Sequence, residues 1–174
     1  MEWTIRSATT ADLTAIVSIM EQSARAIAHP NWFVTDDIAY IQSHLTQKGE
    51  IWVAQCPTGR VGAFLIVHLP GLSPENLGLP LQLPYAQRMQ VAHMESIAVH
   101  PDFRGHGLQR RLLQQGEASM RTQRYVHLMA TVHPDNRYSL RNFLACGYEV
   151  ADTVRKYGGL PRHILYKRVV PIDG

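Results

Sequence analysis

Cysteine is scarce in this chain: its 174 residues hold two, Cys56 and Cys146, far apart and in no paired-ligand spacing. Neither a disulfide framework nor a cysteine zinc site is expected, and buried free thiols are the ordinary reading. Charged residues make up 18% and aromatics 8% against 45% hydrophobic, a globular balance that excludes a disordered or fibrous chain. No apolar run approaches the roughly 20 residues a bilayer-crossing helix needs. The opening "MEWTIRSATT" also lacks the basic and apolar regions of a signal peptide. These absences lead to the expectation of one cytoplasmic domain over residues 1–174, with a core large enough to need no metal and with no membrane partner.

Net charge is +3 and the isoelectric point is near 9.0, a weak pointer to an anionic partner. Locally the bias is stronger, for Arg104, Arg110, Arg111, Arg121 and Arg124 face the single acid Glu117 between residues 103 and 125. A solvated helix face accounts for such a run, and a phosphate-bearing ligand or a nucleic acid is the functional alternative.

The hydrophobic pattern predicts the order β-α-α-β-β-β-α-β-α-β-β. "WTIRS" reads as a strand. Thr9 and Asp12 have capping-box-like spacing ahead of Leu13, Ile16, Val17, Met20, Ala24 and Ile27 at helical intervals, with Pro30 ending that helix. A second helix is expected from Thr35 or Asp36, with Ile38, Ile41 and Leu45 on one face, stopping at Gly49. "IWVAQ" and "RVGAFLIV" form a hairpin through the turn "CPTG". Residues 68–89 carry four prolines and two glycines and yet are apolar, which fits an ordered lid over a cleft, a surface insertion or a partner contact. "QVAHMESIAVH" is a buried strand, followed by a helix from about Gly107 to Met120, the strand "YVHLMATV" and a helix from Asp135 or Asn136 to Gly147. "YEVADTV" and "RHILYKRVV" close the series. The alternation implies an α/β fold with a central twisted mixed sheet, helices on both faces and a parallel strand pair joined by a right-handed crossover.

Within this frame "HPDFRGHGLQRRLL" (100–113) sets Gly105 and Gly107 where a buried strand turns into a helix. Glycine there lowers helix propensity, so something other than local stability favours it. Free backbone amides at the positive end of a helix dipole bind phosphate, and Arg104 adds charge beside them. A plain strand-to-helix turn is the other reading. "GHGLQR" has Arg110 where a dinucleotide fingerprint has its third glycine, and no phosphate-loop motif occurs. "HME" (93–95) has the H-x-E of zinc deaminases without a C-x-x-C partner.

The whole stretch "MESIAVHPDFRGHGLQRRLL" resembles the acetyl-CoA-binding motif of the GNAT superfamily of N-acetyltransferases, matching it at Ile97, Ala98, Val99, Pro101, Arg104, Gly105, Gly107 and Leu108. Asn136, Ser139, Phe143, Gly147 and Tyr148 are similar to the spaced second motif of that family. The resemblance implies a GNAT-like fold in which a splayed parallel strand pair holds acetyl-CoA. It also implies that backbone groups of Ile97 and Val99, flanking Ala98, pair with the pantetheine arm. Amides from Arg104 through His106 and Leu108 to Gln109 would take the pyrophosphate, and Asn136, Ser139 and the Phe143 region would contact the cofactor farther along. Two positions depart from the family: Gln109 stands for Gly or Ala, and Phe143 stands where many members carry a tyrosine proposed to protonate the leaving thiolate.

Acetyl transfer to an amine needs a group that takes a proton from the ammonium. Glu95 is the expected base, helped by His93, since residues two apart on a strand share a face; a ligand for a cationic substrate and an ordinary polar pair on a strand are the alternatives. "HMESIAVH" also looks like the catalytic strand of arylalkylamine N-acetyltransferases, where two histidines hold these two positions. Subgroups acting on protein N-termini place a glutamate where this chain has Thr131. His106 is expected to be exposed and incidental, Tyr138 is a candidate replacement acid, and Trp32, Phe33 and Tyr85 are candidates to line the acceptor pocket. The expected activity is transfer of acetyl from acetyl-CoA to a small-molecule amine, without a metal. An acyl-CoA-sensing module, a protein or peptide amine as acceptor, and a homodimer are left open, and a nucleic-acid partner is not favoured.

Overall fold

A computed structural model describes residues 2–26, 35–156 and 158–173. The alternating opening residues form strand β1, Thr4–Ser7. The Thr9 amide then donates to Asp12 Oδ2 at 2.8 Å, and Arg6 grips the same carboxylate with two nitrogens at 2.8 and 2.9 Å. That bidentate contact joins β1 to helix α1, Leu13–Ala26, and holds the Asp12 carboxyl below its ordinary value. Leu13, Ile16, Ile19 and Met20 form the buried face of α1. The expected continuation to Ile27 and its stop at Pro30 lie outside the described residues.

Helix α2, Ile38–Ser43, is shorter than its pattern predicts. Asp37 caps it by accepting from the Tyr40 amide at 2.8 Å, and the chain then tightens into i→i+3 turns through His44 and Leu45 rather than running on to Gly49. Only the second turn reaches the core. Ile41 is fully buried while Ile38 is 53% exposed, which corrects the single face expected for the two.

The hairpin of β2 (Gly49–Gln55) and β3 (Val61–His68) forms as expected. Residues 69–90 are a series of turns with one short helix, α3 (Tyr85–Arg88). They are apolar for a loop because Leu77, Leu81 and Leu83 pack on Val91, Met129 and Ile164. The buried Asn76 side chain organises the segment by donating to the carbonyls of Gly71 and Arg88. Then come β4 (Val91–Val99), α4 (Leu108–Thr122), β5 (His127–Val132), α5 (Arg137–Ala145), β6 (Glu149–Lys156) and β7 (Leu160–Arg168).

These strands make one sheet in the order β1-β2-β3-β4-β5-β7-β6. Every neighbouring pair is antiparallel except β4 and β5. One core lies between the sheet and α4 and α5, and another between the opposite face and α1 and α2. Two irregularities position the site. The parallel pairing stops after His93↔Met129, so β4 and β5 splay apart beyond it. On its other edge β4 pairs Met94 with Val67 and Ser96 with Ile66, which leaves Glu95 as the extra residue of a β-bulge.

Candidate active site

Gly107 is the N-cap of the 15-residue α4 with φ +68°, and Gly105 has φ +87°. Side chains at these φ values are strained, and a Cβ on either glycine would meet no atom within 4 Å. Glycine is therefore required by backbone conformation, and the space above the turn is open to a ligand. The fit to a pyrophosphate is direct: a helix N-terminus with unsatisfied amides faces that space, flanked by the exposed Arg104. His106 is exposed, its ring 5.9 Å from that of Trp3, while Leu108 anchors the helix in the core. Past His93, no strand among the described residues pairs with the β5-facing edge of β4, where Ile97, Ala98 and Val99 lie. The Val99 carbonyl already accepts from the Ser23 hydroxyl at 3.3 Å.

Several motif side chains are committed elsewhere. Gln109 is buried between α4 and α5, donating to Ser139 Oγ at 3.3 Å and accepting from Asn142 at 3.4 Å, so its backbone alone faces the turn. Asn136 caps α5 by accepting from the Ser139 amide. Phe143 is 2% exposed and sits edge-on to Tyr148 in the core, away from the cavity. Four of the five clustered arginines hold the fold together: Arg110 binds Asn142, Arg111 the Trp3 carbonyl, Arg121 the Val170 carbonyl and Arg124 the Asp173 carboxylate.

A cavity of about 470 Å³ opens at the splay, where Met94 and Glu95 of β4 separate from Ala130 and Thr131 of β5. Glu95 is its centre. Tyr40 of α2 donates its hydroxyl to Glu95 Oε1 at 3.1 Å, and His93 Nδ1 lies 3.5 Å from Oε2. The Leu77 amide, which can only donate, reaches His93 Nε2 at 3.1 Å, so the proton of the neutral ring is on Nδ1, facing the carboxylate. His93 thus has no free lone pair with which to act as base. Burial pushes the Glu95 carboxyl up, but the contacts with His93 and Tyr40 outweigh it and leave it below its ordinary value. Asp36, in the same cavity, has burial and the charge of Glu95 acting together, and its carboxyl is raised to about 6.

Sequence reasoning missed several residues that line or back this cavity. His44 Nδ1 meets the Tyr40 carbonyl at 2.7 Å and so carries the proton, which leaves His44 Nε2 to accept from His68 Nδ1 at 2.8 Å. The rings of Tyr40, His44, His68 and His93 follow one another at 4.6, 5.0 and 5.8 Å. The i, i+4 spacing of Tyr40 and His44 was a visible signal, whereas His68 becomes a neighbour of His93 only through the β3–β4 register. Glu75 and Lys156 are a further pair, 3.5 Å apart on the cavity wall. Of the aromatics expected to line an acceptor pocket, Trp32 and Phe33 lie outside the described residues and Tyr85 is exposed on α3, off the cavity lining. Tyr138 is exposed on α5.

No curated protein matches the chain by sequence comparison. Solved structures match over almost its full length. The yncA protein from Salmonella typhimurium, solved with its cofactor acetyl-CoA, has 20% identity and TM-score 0.73, covering 100% of this chain and 98% of that one. A GNAT superfamily phosphinothricin acetyltransferase from Sinorhizobium meliloti in complex with acetyl-CoA has 18% identity and TM-score 0.74, covering 98% and 90%. The ribosomal-protein-S18-alanine N-acetyltransferase from Escherichia coli has 20% identity and TM-score 0.69, covering 99% and 97%. At these identities the neighbours establish the fold. The sequence pattern of the acetyltransferase (GNAT) family matches residues 17–148, more than half of the chain, and the protein belongs to that family.

Proposed function

We propose that this protein transfers acetyl from acetyl-CoA to the primary amine of a small molecule, with Glu95 receiving the amine. The observation that carries this reading is an ionised carboxylate, held by Tyr40 and His93, at the point where β4 and β5 part. Bound there, acetyl-CoA supplies an activated acetyl thioester. The amides of the Gly105–Gly107 turn are placed for its pyrophosphate, and the free edge of β4 around Ile97 for its pantetheine arm. Glu95 binds the acceptor's ammonium and takes its proton, and His93 orients that carboxylate. Phe143, sealed in the core, neither donates a proton nor touches the cavity.

The neighbours include both a phosphinothricin and a ribosomal-protein acetyltransferase, so the preference for a small acceptor comes from the cavity. The Glu75–Lys156 ion pair joins the 69–90 segment to the end of β6 along one wall, which supports a bounded cavity over a groove for a polypeptide. Thiol release from acetyl-CoA over a panel of amines and peptides tests the activity. Glu95→Gln is expected to lower kcat by roughly 100-fold with the KM for acetyl-CoA little changed. An unchanged kcat removes Glu95 from the proton route. A core phenylalanine in place of the family's tyrosine favours one alternative, an acyl-CoA sensor, which calorimetry reveals as tight acetyl-CoA binding without turnover under any acceptor.

A further inference from the structure

The charges around the cavity do not cancel locally. Glu75 and Lys156 neutralise each other at 3.5 Å. Among the described residues Asp36, Lys48 and Glu95 have no oppositely charged side chain as partner, Glu95 being held by the neutral His93 ring and the Tyr40 hydroxyl. Glu95 and Lys48 occupy different strips of the wall. Glu95 is on β4. Lys48 precedes β2, its carbonyl accepting from the Leu69 amide at 2.8 Å, and the register runs from Gly49 to His68 on β3 and on to His93 on β4. Lys48 is thus two strand spacings, roughly 10 Å, across the sheet from β4 and about three residues, again roughly 10 Å, along it from Glu95, so the backbones that carry the two charges are on the order of 14 Å apart. The lysine and glutamate side chains span part of that gap while the ammonium stays hydrated. His68 lies between them: burial pushes it down to about 4, while Glu95 and Lys48 act on it in opposite senses.

From this layout we infer that the acceptor is a zwitterion, an amine with an anionic group several bonds from its nitrogen, whose ammonium meets Glu95 and whose anion meets Lys48. The inference rests on the acetyltransferase reading and narrows its substrate class. An alkylamine leaves the Lys48 strip without a partner, and a diamine puts a second cation against it, which is repulsive. Lys48 is exposed, so its substitution leaves the core intact.

The test is a competition among acceptors with the full chain and saturating acetyl-CoA. The panel holds ω-amino acids of two to six carbons, the corresponding aminophosphonates, the amino acid amides, the alkylamines and the diamines. The expected result is a kcat/KM for one length of carboxylate or phosphonate amine about tenfold to hundredfold above its neutral amide; which anion wins separates the two sources of charge. Lys48→Met should collapse that ratio, Lys48→Arg should retain it, and Lys48→Glu should turn the preference toward diamines, each with an unchanged melting temperature. Equal use of zwitterions and alkylamines, or a ratio that Lys48→Met does not move, overturns the inference and leaves the acetyltransferase reading standing. Failure of every amine to release thiol, from folded protein that binds acetyl-CoA, overturns both.

Discussion

Glu95 and Asp36 are two carboxyls in one cavity with opposite proton affinities, and the difference comes from their neighbours. Burial opposes ionisation in both, but among the described residues only Glu95 has donors, the Tyr40 hydroxyl and His93 Nδ1, aimed at its oxygens. Asp36 has the charge of Glu95 beside it and is raised to about 6. Divergent environments of this kind divide roles between two acids. In the proposed mechanism Glu95 is the carboxylate that is ionised before it receives the amine's proton, and the protonation of Asp36 changes near pH 6. Removing one donor from Glu95 tests the arrangement. Tyr40→Phe takes away a hydrogen bond to the charged form, so the Glu95 carboxyl holds its proton to higher pH than in the wild type. The acidic limb of kcat/KM is therefore expected to move to higher pH, with a threefold to tenfold loss on the plateau, on the order of one hydrogen bond. A limb that stays in place shows that the profile reports another group.

At the scale of elements, the site exists because β4 is irregular on both edges. The bulge at Glu95 detaches that residue from β3, and the splay after His93 frees the opposite edge. The strand then leads through a turn with two left-handed glycines into α4. Gly107→Ala tests the turn. At φ +68° an alanine costs about 1 kcal/mol, which lowers the melting temperature of a domain of this size by roughly 2–4 °C. It also puts a methyl group into the open space, so the KM for acetyl-CoA is expected to rise severalfold while kcat falls less. A KM that stays constant while the melting temperature drops would assign the glycine to backbone strain alone. Much of this half was legible in advance, because turn glycines, an N-capping Asn136 and apolar periodicity are local signals. The His93–Glu95 pairing was legible through strand parity. The acceptor half was not: the bulge, the contact of His68 with His44 and the Leu77 amide on His93 join residues distant in sequence. Helix α2 misled because its periodicity outran the contact that buries it, leaving Ile38 in solvent. Phe143 looked like a position facing the cofactor because the motif placed it there, whereas its ring is part of the core.

For the molecule as a whole, the cavity carries a pH-dependent cost in stability. Asp36 binds its proton more tightly in the folded protein, about 6, than in the unfolded chain, where its ordinary value is 3.8. Between those two values the folded state holds more protons than the unfolded one, so stability falls as pH rises from about 4 to about 6 and stays lower above that. The depressed Glu95 works in the opposite sense: its contribution is present above the unfolded carboxyl value and is lost as pH falls through its own lower value. Asp36→Asn removes the first effect and keeps the second. Near pH 3 the variant and the wild type should melt together, because Asp36 is then largely protonated in both states. At pH 8 the variant should be the more stable by roughly 1–2 kcal/mol, a value already reduced for the solvent that reaches this half-buried group. The same substitution should weaken turnover, since a site that keeps one carboxyl beside a second gives up stability for function. Melting curves at the two pH values, read beside the thiol-release rate, check both halves. A variant no more stable at pH 8, or one that gains stability at both pH values alike, shows that Asp36 is not held against its ionisation in the folded protein.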